Sequence, residues 1–233
     1  MRAITIANLD DADTGFVGDR FRHHGYSFDE CLRESPTDWP DLDGHDLVLL
    51  LGSEWSVYWP EVAQSVRAEV ALVHAAARRG IPVFGICFGH QVLAHALGGS
   101  AFRADTPEIG WMHVETDMPS VIAPGPWMQW HYDVVSLPHR ATEMARSAVG
   151  PQAWNLGRVF ATQFHPEVNE SVVRRWASGA GAEELLRIGS NVDALMEVTR
   201  DSIDASRSNA ERLVDWFCDS VVPIEYSNVL DLP

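Results

Sequence analysis

The chain has 233 residues, 46% of them hydrophobic, enough for one α/β domain with a full core. Its formal net charge is −16, from 33 acidic side chains against 17 basic ones, and every basic residue is Arg. So anionic a surface argues against nucleic-acid binding, and the missing lysines exclude Schiff-base chemistry and a lysine-bearing phosphate loop.

No run of 18 or more apolar residues occurs, so no membrane span is expected. The opening Met1-Arg-Ala-Ile-Thr-Ile-Ala-Asn-Leu9 reads as a strand rather than a secretory signal, and a cytoplasmic location is the expectation. Cys31, Cys87 and Cys218 are an odd, widely spaced set, which disfavours a disulfide framework and a thiolate zinc site. Cys31 and Cys218 read as core residues.

In chain order, apolar runs at 2–7, 46–51, 82–86 and 158–164 predict strands. The runs at 46–51 and 82–86 are continuously hydrophobic, the pattern of strands buried on both faces of a parallel sheet. Between them, Val62, Val66, Val70 and Val73 recur at helical spacing, and Arg78-Arg79-Gly80 ends that helix. Strand, helix, strand predicts a right-handed crossover. A further helix over 91–97 stops at Gly98-Gly99. From about 100 to 164 short strands and turns are expected, with alternation at 108–115 and a loop-like stretch at 127–138. After His165 the chain turns helical to its end, most clearly at 190–221, with Leu195, Val198, Ile203, Leu213, Trp216 and Phe217 as core candidates. The expectation is one domain over 1–233, a three-layer α/β fold whose mostly parallel central sheet is flanked by helices, with a helical extension over about 170–233.

The chemistry centres on Gly85-Ile-Cys87-Phe-Gly-His-Gln91, where a strand runs straight into a helix. A thiol just before the first turn faces unsatisfied N–H groups and the positive end of the helix dipole, which favour its anionic form. Gly85 and Gly89 permit the sharp turn of a nucleophile elbow, with the Phe88 N–H as a natural oxyanion donor. At the end of the last apolar run, Gln163-Phe-His165-Pro-Glu167 supplies an imidazole and a carboxylate two residues apart. A thiol, a base and a group that orients the base are the parts of acyl transfer through a thioester. His90, His95, His113 and His139 lack ligand spacing, so neither a metal nor a cofactor is expected.

These paired motifs, together with Glu108-Ile-Gly110, Trp130-His131-Tyr132-Asp133 and Leu137-Pro138, resemble the class I (triad) glutamine amidotransferase family. The likeness runs from the first strand to about residue 170, and within the family it is to the glutaminase domain of GMP synthase and its free-standing relatives. It implies a flavodoxin-like fold and a catalytic trio of Cys87, His165 and Glu167. It also implies oxyanion donors at Gly52 and Phe88, and glutamine contacts from Gln91, His131 and Asp133 with their neighbours Trp130 and Tyr132. The family's Gly-Gly-Pro loop is replaced here by Gly52-Ser53-Glu54, which makes Ser53 and Glu54 candidate substrate contacts, with the acid either binding an amine or facing solvent. Trp55, Trp59, Trp111, Trp127 and Trp130 fall in the same regions, as packing residues or as an aromatic wall.

The implied activity is hydrolysis of the glutamine γ-amide to glutamate and ammonia, with the ammonia passed to a separate synthetase partner. Two alternatives stay open: a free-standing hydrolase or transferase of a γ-glutamylated amine, and an inactive regulatory or binding subunit.

Overall fold

The structure, a computed structural model, describes residues 1–223. The end of the predicted tail, 224–233, lies outside the described residues. The first half runs β1 (Arg2–Ala7), α1 (Gly15–His23), β2 (Ser27–Leu32), β3 (Leu47–Leu50), α2 (Ala63–Arg79), β4 (Val83–Ile86) and α3 (Phe88–Ala96). Then come β5 (Ser100–Met112), β6 (Glu115–Thr116), β7 (Trp127–Ser136), β8 (Thr142–Arg146), β9 (Pro151–Leu156) and β10 (Val159–Thr162). The chain continues through α4 (Glu170–Trp176), α5 (Ala180–Arg187) and α6 (Val192–Trp216). No helix among the described residues is long and apolar enough to cross a membrane.

The main sheet has the order β2-β1-β3-β4-β10-β9-β8-β6, and β5 pairs with β7 as a separate ribbon. Strands β2, β1, β3, β4 and β10 run parallel, and the remaining pairs are antiparallel. Alternate residues of the central strands enter two cores. Leu47, Leu49, Phe84, Ile86 and Phe160 meet Phe21 of α1 and Leu213 of α6. Val48, Leu50, Val83 and Val159 meet Val66 and Val73 of α2 and Val92 and Leu93 of α3. Both faces are therefore covered, which is why these strands read as unbroken apolar runs. Burying each such side chain contributes roughly 1.5–3 kcal/mol. Phe84 also meets Phe160, Phe217 and Phe21 edge to face at 5.1, 5.2 and 5.9 Å, which locks α1 and the C-terminal helix to the sheet.

Two expectations are corrected. The stretch 127–138 is not a loop: Trp127–Ser136 is a strand, paired with β5 from Met112↔Trp127 to Ser100↔Ser136, with a bulge between Arg103 and Glu108. Its polar residues Gln129, His131 and Asp133 suggested a loop, yet all three are buried against partners. In α6, Val198 is 45% exposed, whereas Thr199, Ser202, Ser206 and Ala210 face inward. Those small side chains let α6 lie close against α1, α4 and β5, so its buried seam is not its most apolar one. The π-helical turn Phe217–Val221 extends α6 to the predicted end.

The elbow depends on close contact between β3 and α3. A Cβ built on Gly89 would lie 2.3 Å from the Leu50 carbonyl oxygen and 2.8 Å from its Cβ. Gly89→Ala is therefore expected to lower stability by about 3 kcal/mol. Urea unfolding that shows a loss below 1 kcal/mol would mean the helix can retreat from the strand freely.

Candidate active site

Cys87 caps α3 with φ 51° and ψ −103°. A non-glycine residue in that region costs on the order of 1–3 kcal/mol and persists only where neighbours over-determine it. Here they do. The Cys87 N–H donates to the Thr162 carbonyl at 2.8 Å, and its carbonyl accepts from the Gln91 N–H at 3.1 Å. The Phe88 N–H that follows belongs to the first turn, whose amides have no intrahelical partner. The Gln163 amide donates to the Cys87 sulfur at 3.5 Å, and the Trp130 carbonyl lies 4.0 Å from that sulfur.

His165 reaches the same place from the end of β10. Its N–H donates to Met128 of β7 at 2.9 Å. Nδ1 lies 2.7 Å from Glu167 Oε1, which assigns the ring proton to Nδ1 and leaves Nε2 as the basic nitrogen. Nε2 is buried and makes no hydrogen bond within ordinary distance among the described residues. Burial opposes a charge on the ring, but the Glu167 carboxylate and the nearby Cys87 thiol overcome it and hold the imidazole pKa well above its ordinary value. The Glu167 carbonyl in turn accepts from the Phe16 N–H at 2.9 Å, so α1 fixes the carboxylate's backbone.

Gly52 is the common neighbour of the pair. A Cβ placed there would lie 3.0 Å from His165 Cε1 and 3.6 Å from Cys87 Cβ. Gly52→Ala is expected to displace the imidazole by a few tenths of an ångström and lower kcat roughly 10-fold, since even small misplacements are costly. Its melting temperature should stay close to that of the parent. An unchanged kcat would remove Gly52 from the site.

On β7, His131 and Asp133 point inward while Trp130 and Tyr132 face the opposite side. His131 Nε2 lies 3.0 Å from Glu108, and Asp133 accepts from the Tyr58 hydroxyl at 2.8 Å. Burial works against the Glu108 charge, but His131, Ser147 and Gln152 outweigh it and hold the carboxyl below its ordinary value. Gln91 is buried with its amide oxygen unpaired among the described residues. Tyr132 lies under the Arg103 guanidinium at 4.4 Å, within the cluster formed by α4 to α6. The Ser53 hydroxyl accepts from the Trp55 N–H at 3.1 Å, and Glu54 is exposed.

The tryptophans divide. Trp127 is fully buried and stacks on Phe164 at 4.5 Å, Trp111 donates to Thr199, and Trp55 packs on Phe88. Trp59 is exposed. Trp130 brings its backbone carbonyl to Cys87, while its ring meets at 6.3 Å that of Trp176, whose own ring is 4.6 Å from His165. Trp176 is absent from the sequence reading because nothing in Arg174-Arg175-Trp176 marks it. Burial pushes the pKa of His90 down to about 3, helped by His131, so His90 is neutral and no acid or base for this site. Burial pushes the thiol of Cys218 up to about 12 and that of Cys31 upward, as suits packing residues.

Comparison with known proteins addresses what this arrangement belongs to. The family model "Glutamine amidotransferase class-I" matches residues 46–175, over half of the chain. The chain belongs to the class I glutamine amidotransferase family. Its sequence is 38% identical over 140 residues to a glutamine-hydrolysing GMP synthase of Aeropyrum pernix, covering 53% of this chain and 27% of that protein. It is 31% identical over 172 residues to a GMP synthase of Bdellovibrio bacteriovorus, covering 72% and 33%. The matches thus cover only about a quarter to a third of these relatives. A glutamine amidotransferase of Thermotoga maritima superposes with a TM-score of 0.82 at 29% identity, covering 94% of this chain and 99% of that one. The class I amidotransferase fold of the chain, a mostly parallel sheet between helices with a C-terminal helix, is thereby established.

Proposed function

We propose that this amidotransferase chain hydrolyses the γ-amide of glutamine, with Cys87, His165 and Glu167 as its catalytic trio. The observation that carries the reading is the strained thiol of Cys87 beside an imidazole whose far nitrogen is held by Glu167 at 2.7 Å. The Cys87 sulfur attacks the γ-carbonyl carbon as its proton passes to His165 Nε2. The N–H groups of Phe88 and Gly52 face the negative charge that develops on the carbonyl oxygen. As the C–N bond breaks, His165 returns the proton to the leaving amine, and ammonia departs. Water, deprotonated by the same nitrogen, then cleaves the γ-glutamyl thioester and releases glutamate. Glu167 stabilises the imidazolium at both stages. Gln91, His131 and Asp133 offer buried polar groups for the zwitterionic end of glutamine, with Tyr58 and Glu108 fixing the latter two.

The relatives named GMP synthase suggest that a separate synthetase uses the ammonia. Purified protein given glutamine alone should release glutamate and ammonia in equal amounts. If neither glutamine nor a γ-glutamyl amide is turned over, and Cys87 accepts no acyl group, the reading fails.

One feature favours a second reading, a larger leaving amine. The Trp176 ring lies 4.6 Å from His165 and meets the Trp130 ring behind it at 6.3 Å. Turnover of γ-glutamyl aryl amides well above that of glutamine would select it.

A further inference from the structure

Beneath the loop after β3 lies a buried ion pair that the chemistry above does not use. Arg33, one residue past β2, and Glu69 on α2 are both 0% exposed, with Nε 2.7 Å from Oε1 and Nη2 3.4 Å from Oε2. The rest of the guanidinium goes to acceptors around the loop. Nη1 donates to the Gly52 carbonyl at 2.9 Å and to Asn8 Oδ1 at 2.7 Å. Nη2 donates to the Leu51 carbonyl at 2.9 Å and the Ile6 carbonyl at 3.3 Å. Its flat face lies 4.7 Å from the centre of the Phe88 ring. One side chain therefore touches both segments whose amides adjoin Cys87.

A buried ion pair is seldom more stable than a well-packed apolar pair, so stability alone does not account for this one. Backbone geometry supplies a role. A trans peptide directs its C=O and N–H to opposite sides. Pinning the Leu51 and Gly52 carbonyls on the Arg33 side turns the following N–H groups, of Gly52 and Ser53, away from Arg33. Successive amides turned to one side form an anion-binding concavity. Neither amide donates to a protein group among the described residues, and a Cβ built on Gly52 would meet both Cys87 and His165.

We propose that Arg33, locked by Glu69, is a positioning residue that presents the Gly52 and Ser53 amides, and through its contact with Phe88 the elbow amide, to the oxyanion of the acyl-transfer step. The proposal rests on the glutaminase reading above. It assigns to a charged pair outside the catalytic trio the job of keeping the oxyanion site assembled before substrate arrives.

The test compares two reactions of the same thiol. Hydrolysis of glutamine passes through an oxyanion. Alkylation by iodoacetamide does not: the sulfur bonds to carbon as iodide leaves. The double variant Arg33→Met with Glu69→Leu removes the charges together and keeps apolar volume. It should lower kcat for glutamine about 100-fold, as loss of an oxyanion donor does, with KM within about threefold and the alkylation rate within about twofold of the parent. Arg33→Lys keeps a charge opposite Glu69 but lacks the fork, and a loss of roughly 10-fold is expected. Should the double variant fail to fold, Arg33→Lys alone decides through the same pair of rates. An unchanged kcat, or a parallel fall in hydrolysis and alkylation, overturns the proposal. A parent protein that is alkylated at Cys87 yet inert towards glutamine would overturn the glutaminase reading itself, an outcome visible before any variant is made.

Discussion

Cys87→Ala is expected to lower kcat for glutamine hydrolysis by about 10⁴-fold or more, to the level that binding and oxyanion contacts alone support. In the proposed route the Cys87 sulfur forms the bond to the substrate, a part the other two thiols are not suited to take. Cys31 and Cys218 have thiols pushed upward by burial and stand apart from His165. The fold should be nearly indifferent to the change, because the residue's backbone ties to Thr162 and Gln91 remain. A second comparison isolates the strain. At φ 51° a glycine sits more easily than any side chain. Cys87→Gly should therefore equal or exceed Cys87→Ala in stability, by about 1 kcal/mol. If Cys87→Ala retains more than a tenth of the parent kcat, the thioester route is wrong.

Glu167→Gln should lower kcat about 10³-fold, since a carboxamide offers Nδ1 a weaker acceptor and cannot stabilise the imidazolium. The pH dependence has a definite sign. The folded-state pKa of His165 is raised, against burial, by Glu167 and Cys87. The stability from this protonation is fully present below the ordinary histidine pKa of about 6.5, and it is lost as pH rises through the folded value. The stability deficit of Glu167→Gln relative to the parent, read by urea unfolding, should accordingly be largest in mild acid and shrink in alkali. Because His165 must be neutral to take the Cys87 proton, the acid limb of the variant's pH–rate profile should move to lower pH. A limb that stays in place would show that Glu167 does not set the charge of His165.

Much of this was legible in the sequence, for identifiable reasons. The runs at 46–51 and 82–86 have no polar face because both faces of β3 and β4 are covered, so periodicity had only one reading. The motifs around Cys87 and His165 were visible because an elbow demands glycines at fixed positions. Strand β7 was not legible. Its buried Gln129, His131 and Asp133 lie against Gln152, Glu108 and Tyr58, partners far away along the chain. The inner seam of α6 was hidden too, because close packing against α1, α4 and β5 rather than apolarity buries Thr199, Ser202 and Ser206 there. Nothing in the sequence marks Arg33 or Glu69, which stand in no motif and far apart along the chain. Only tertiary structure shows that they are sealed together beneath Gly52.

The most direct test of the central claim is intact-mass and peptide-level mass spectrometry of the protein after rapid acid quench from glutamine and after incubation with a γ-glutamyl diazoketone. The account requires one γ-glutamyl-derived group per chain, carried by Cys87, with glutamine slowing the diazoketone. A chain that remains unmodified, or an adduct on Cys31 or Cys218 in its place, would contradict it.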